Sequence, residues 1–132
     1  MVDTLPPLSD TDTVGEIFLT NAILCLKKGG LTGPVRTEWF DNCSKRYLQP
    51  LIDLIGPKIV VTLGVRALNS VLSLYDTSKP KCLRDVVDNE DGIQLGGDAL
   101  LFPMYHCGQI VWITHRKEEQ QLKDWARVRH IL

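Results

Sequence analysis

The stretch PKIVVTLGVRALNSVLSL, residues 57–74, sets the architecture of this chain. Lys58 to Leu63 is a β-branched apolar run, with Gly56-Pro57 ahead of it and a lone Gly64 behind it, and that punctuation marks a short strand. Because the run does not alternate with polar residues, it predicts a strand buried on both faces, as in a parallel sheet. Gly64 then opens a helix through about Leu74. A strand passing through a glycine into a helix is the repeating unit of an α/β domain, whose crossovers are right-handed.

Upstream of it, Thr37 reads as the N-cap of a helix on which Trp39, Phe40, Cys43, Tyr47, Leu51 and Leu54 recur at helical spacing. Pro50 should kink that helix or split it, and Gly56-Pro57 should stop it. Ile17 to Leu24, broken only by Thr20 and Asn21, predicts another buried strand; residues 26–36, LKKGGLTGPVR, are loop. Downstream, Asp76 to Asp98 is polar and glycine-containing, assignable only as loop with one short strand. Ala99 to Tyr105 predicts a third strand, and His115 or Lys117 to Ile131 a closing helix with Leu122, Trp125, Ala126 and Val128 inward. Residues 1–13, with Pro6-Pro7 and little to bury, read as an irregular tail, so the domain spans 14–132.

At 132 residues the chain fits one domain with one ordinary core. Its 44% hydrophobic and 23% charged residues suit a globular protein, and no apolar run approaches the ~20 residues of a membrane helix. No basic stretch followed by an apolar one begins the chain, so a cytoplasmic protein is the expectation. Its four cysteines are then thiols or metal ligands rather than disulfides. The net charge of −1 conceals an uneven distribution: −4 over Met1 to Leu24, +4 over Cys25 to Arg66, −3 over Ala67 to Tyr105 and +2 from His106 onward. Positive segments of this kind suit a face that contacts phosphates, or equally a solvated helix face around Lys45 and Arg46.

Four pieces stand in a telling order: FLTNAILC (18–25), Cys43, PKIVVTLG (57–64) and FPMYHCG (102–108). Asn21, Gly64 and His106 each fall at or just past the carboxyl end of an apolar run, the edge at which open α/β sheets bind ligands. From about Val14 to the C-terminus this order resembles the uracil-DNA glycosylase superfamily, most nearly its iron-sulfur (family 4) branch. The resemblance implies an α/β three-layer sandwich around a central, mainly parallel sheet. It also implies a base-excision repair protein that recognises a flipped uracil in DNA and hydrolyses its N-glycosidic bond. The family's glycine-rich turn, with an acid and an aromatic for the base, and the upstream Cys-x-x-Cys of the iron-sulfur branch have no match here. The chain is therefore expected to be an N-terminally shortened form, with hydrolysis depending on that acid being supplied.

By the same resemblance His106 is the catalytic donor to the leaving base, and Asn21 reads the Watson–Crick edge of uracil with one donor and one acceptor. Gly64 belongs to the substrate-binding floor. Lys27 and Lys28, in the basic loop, and Gly108, Gln109 and Ile110, after the histidine, are the expected DNA contacts. Ile110 or Val111 is the candidate apolar wedge between base steps, although QIVWI also reads as a buried strand. Cys107 stands where the family usually has proline, which removes a fixed φ from the loop. Cys25 and Cys43, eighteen residues apart, match two ligand positions of an iron-sulfur cluster. A cluster needs about four thiolates, so no cofactor is expected in this chain unless further cysteine ligands are supplied. Cys43 equally suits an ordinary core position.

Two other readings stay open at this point. One is a noncatalytic nucleic-acid-binding or interaction module on the same fold. The other is an unrelated α/β hydrolytic or nucleotide-binding domain, for which no phosphate-loop pattern follows Leu63. His106 with Cys107 does not make a thiol catalytic pair, since neighbours on an extended chain point to opposite faces.

Overall fold

The structure, a computed structural model, describes residues 17–24 and 33–131. In chain order the elements are helix α1 (Thr37–Cys43), a π-helical stretch (Ser44–Leu48), α2 (Gln49–Ile55), strand β1 (Ile59–Leu63), α3 (Val65–Leu74), α4 (Arg84–Val87), β2 (Ile93–Gln94), β3 (Leu100–Met104), α5 (Gln109–Thr114) and α6 (Glu118–Arg129). The architecture is α/β, with a mixed sheet of order β1-β3-β2. β1 and β3 run parallel, in register from Ile59 opposite Leu100 to Leu63 opposite Met104. β2 adds antiparallel to the other side of β3.

Side chains of a strand alternate between faces, and here the alternation sorts the core into two clusters. Leu101 packs with Leu48, Leu68, Val71, Leu72, Leu83 and Leu95, and Val60 borders them. The opposite face gathers Phe102, Met104 and Val128, bordered by Ile59, Val61, Leu100 and Trp125. Thus α3 and the π-helical stretch cover one face, and α6 covers the other.

The expected β1, α3 and β3 are present within a residue of their predicted limits. β1 is nevertheless only half-buried: Leu63 is 36% exposed, and among the described residues no strand pairs with its outer edge. The short strand in the Asp76 to Asp98 region is β2, and α4 was not expected there. The closing helix is α6, and the buried positions on it include two polar residues, Gln121 and Asp124, as well as Val128.

Three expectations are corrected. Ile17 to Leu24 forms no strand; Ile17, Phe18, Leu19 and Leu24 are all exposed, Leu19 by 89%. An apolar run becomes a strand only by hydrogen-bonding to a neighbouring edge, and no described strand pairs with this one. Second, Thr37 does not cap α1: Arg36 occupies the cap position, without a side-chain hydrogen bond, and Thr37 is the first helical residue. Third, the buried face of the long helical run is shifted, because a π turn precedes α2. Pro50 falls in the first turn of α2, where a missing N–H is tolerated, and the wider turn ahead of it absorbs the lost i→i−4 bond. At the end of that turn Leu48 is buried, and beyond it Ile52 borders the core, whereas Tyr47 and Leu54 are exposed by 44% and 84%.

Candidate functional site

Because β1 and β3 are parallel and in register, Leu63 and Met104 end on the same edge of the sheet. Gly64, the next residue after β1, donates its N–H to the carbonyl of Met104 at 2.8 Å and so ties the two strand ends together. Its backbone, φ 87° and ψ 163°, occupies a region that is essentially glycine-only. His106 comes two residues after β3, and its ring lies directly against the Gly64 backbone. A Cβ placed on Gly64 would fall 2.5 Å from Nε2 and 2.7 Å from Cδ2 of that ring. The missing side chain is therefore the space in which the imidazole rests. His106 remains exposed, so an accessible imidazole rests on a buried glycine at the carboxyl edge of the sheet.

Beyond His106 the chain passes through Cys107 and an extended Gly108 into α5. The buried-strand reading of QIVWI is overturned here, since these residues are helical and Ile110 and Ile113 are exposed by 76% and 78%. Gly108 and Gln109 are also exposed. Two aliphatic side chains thus project into solvent a few residues from the imidazole. Cys107 is half-buried, and burial pushes its thiol pKa up.

Asn21 lies exposed in the irregular segment 17–24, its carbonyl accepting a long bond of 3.5 Å from the Thr20 hydroxyl. The structure brings Gly64 and His106 together; no hydrogen bond among the described residues joins Asn21 to either. Cys25, Lys27 and Lys28 lie outside the described residues. Cys43 is a free thiol only 4% exposed, consistent with a core position. Cys82 is exposed, and no group of three His, Cys, Asp or Glu side chains among the described residues is arranged to hold a metal.

Two residues near this edge were not singled out in the sequence. Arg66, two positions after Gly64, stacks its guanidinium 5.4 Å from the Phe40 ring centroid and donates to the Val35 carbonyl at 3.2 Å. It helps line a cavity of about 220 Å³ together with Thr37, Asp41, Asn69 and Lys79. Gln121, on α6, donates to the carbonyl of His106 at 3.2 Å. A polar residue on the expected inward face of the closing helix was the one signal that could have pointed to it.

The model of the Uracil DNA glycosylase superfamily matches residues 8–129. No curated protein and no solved structure matches the chain.

Proposed function

The chain belongs to the uracil-DNA glycosylase superfamily, and on that basis we propose that it recognises a uracil flipped out of DNA and promotes cleavage of its N-glycosidic bond. The observation that carries this reading is the imidazole of His106 resting on Gly64 at the shared carboxyl edge of β1 and β3. As the bond breaks, negative charge moves onto the carbonyl oxygens of the departing base while the sugar becomes oxocarbenium-like. A donor held ready at that oxygen lowers the barrier by roughly 3 kcal/mol, about 100-fold in rate or more. His106 supplies that donor, Asn21 reads the base edge, and Gly64 forms the floor. Lys27, Lys28, Gly108, Gln109 and Ile110 engage the DNA, within the three-layer, mainly parallel fold of the family. No cofactor enters the reaction.

A donor at the base does nothing for the opposite end of the bond. The cationic sugar or the attacking water needs a carboxylate, and the acid-bearing glycine-rich turn that the family uses for it has no match in this sequence. Excision by this chain is accordingly slow. The exposed, unjoined position of Asn21 favours a second reading, a noncatalytic module that binds nucleic acid through the same edge.

Single-turnover release of uracil from a labelled oligonucleotide at low salt tests the proposal. Slow release is expected, reduced about 100-fold by His106→Ala, from protein without stoichiometric iron or sulfide. No release from uracil DNA, with equal binding to thymine DNA, would favour the noncatalytic module. A brown preparation that loses its iron on Cys25→Ala would overturn the cofactor-free part.

A further inference from the structure

His106 belongs to no helix or strand. It lies in the irregular stretch 105–108, ahead of Cys107 and Gly108, neither of which restricts φ as a proline would. An imidazole laid on a bare glycine backbone therefore needs its own backbone held from elsewhere, and α6 holds it. The Gln121 side chain, on a residue only 2% exposed, donates from Nε2 to the His106 carbonyl at 3.2 Å and to the Arg116 carbonyl at 3.4 Å. The loop carbonyl next to the imidazole is thus held from a buried position on α6.

The far end of the loop is anchored to the same helix. Arg116 bonds both carboxylate oxygens of Asp124, at 2.7 and 3.0 Å, and reaches Asp88 at 2.9 Å. One buried amide consequently connects the first residue of the segment, His106, with the last, Arg116, and α5 lies between them. The amide's other atom, Oε1, is buried without a partner. Leaving a buried acceptor unpaired is unfavourable, and an apolar side chain of similar length would fill the space without that cost. Packing alone does not account for a glutamine here.

We infer that Gln121 is a positioning residue for His106: its buried amide, bonded to the carbonyls of His106 and Arg116, fixes the loop that lays the imidazole on Gly64 and presents α5. The consequence for catalysis rests on reading His106 as the donor to the leaving base; the consequence for geometry does not.

The test uses the full chain and a Gln121→Met variant, which keeps the length of the side chain and removes the amide. The native protein should show a nuclear Overhauser contact between the Gly64 Hα protons and the His106 ring. In the variant that contact should vanish while the β1–β3 cross-strand contacts persist. Single-turnover excision should fall about 100-fold, as for an ångström-scale misplacement, with oligonucleotide affinity changed much less. Should the variant fail to fold, the native protein still decides, because the Gln121 Nε2 protons are expected to exchange far more slowly than those of an exposed amide. An undiminished Gly64–His106 contact in Gln121→Met, or rapid exchange of those protons, overturns the inference. If the native chain releases no uracil but the contact is lost in the variant, the glycosylase reading fails and the positioning role stands.

Discussion

Gly64 is constrained twice over. Its φ of 87° excludes side chains by local sterics, and the His106 ring excludes a Cβ by contact. Gly97 separates the two effects, because it has a φ of +70° but nothing within 4 Å of where a Cβ would stand. Gly97→Ala therefore bears backbone strain alone, whereas Gly64→Ala bears strain and collision. Strain of this kind costs about 1–3 kcal/mol, so chemical denaturation should show both variants destabilised, Gly64→Ala more so, with the His106 ring displaced only in the latter. Equal losses with an unmoved ring would mean that the imidazole does not depend on the glycine. Part of this was legible in the sequence, since a glycine that ends a β-branched run and opens a helix reads as a turn. The ring against it was not, because that contact depends on the register of β1 against β3, which no local pattern specifies.

The two helical regions show how far periodicity carries among the elements. For α3 it suffices: a single regular helix buries Leu68, Val71 and Leu72. In the run from α1 to α2 it fails partway, because the π-helical turn at Ser44–Leu48 advances the inward face by about one residue, a backbone choice invisible to a 3.6-residue rule. α5 was ambiguous for a related reason: QIVWI is β-branched yet short, so its own composition suits either a strand or a helix and leaves the conformation to its surroundings. On α6 the buried Asp124 receives Arg116 and Arg127, at 2.7 and 2.8 Å, while Arg127 also donates to the Val87 carbonyl and so joins α6 to α4. Removing one partner of a buried ion pair typically costs 3–5 kcal/mol. With the arginine side chains 14% and 21% exposed, water relieves part of the loss, and Asp124→Asn should cost about 3 kcal/mol. The neighbouring Lys123–Glu119 pair, with side chains 75% and 80% exposed, should contribute no more than about 0.5 kcal/mol. Urea titrations of Asp124→Asn and Glu119→Gln compare them directly, and similar losses would show that the Asp124 cluster is not the tie between α6 and α4.

For the whole molecule, the sequence is least informative where structure depends on pairing with a distant segment. Ile17 to Leu24 has the composition of a strand, yet Phe18 and Leu19 stand exposed by 57% and 89%, because strand character is realised only by pairing. Charge is likewise a property of the whole chain, and it can be tested without knowing the path of every segment. The net +4 of Cys25 to Arg66 and the +2 from His106 onward include the basic loop and the α5 region that the proposed function assigns to DNA. If phosphate contacts supply the affinity, the logarithm of the binding constant falls linearly with the logarithm of salt, with a slope of about −0.9 per neutralised phosphate. Lys27→Ala and Lys28→Ala should each make that slope shallower by roughly one while weakening all sequences alike. Ile110→Ala removes an aliphatic side chain that is 76% exposed and carries no charge. It should weaken binding without altering the slope, and more for a duplex in which a base must be unstacked than for a single strand. Fluorescence anisotropy with uracil-containing duplex and single-stranded oligonucleotides, across a salt series, measures all three. A slope unchanged by both lysine substitutions would move the phosphate-contacting face away from the Lys27-Lys28 loop. A slope that changes with Ile110→Ala would show that α5 acts through the placement of charged neighbours rather than as an apolar wedge.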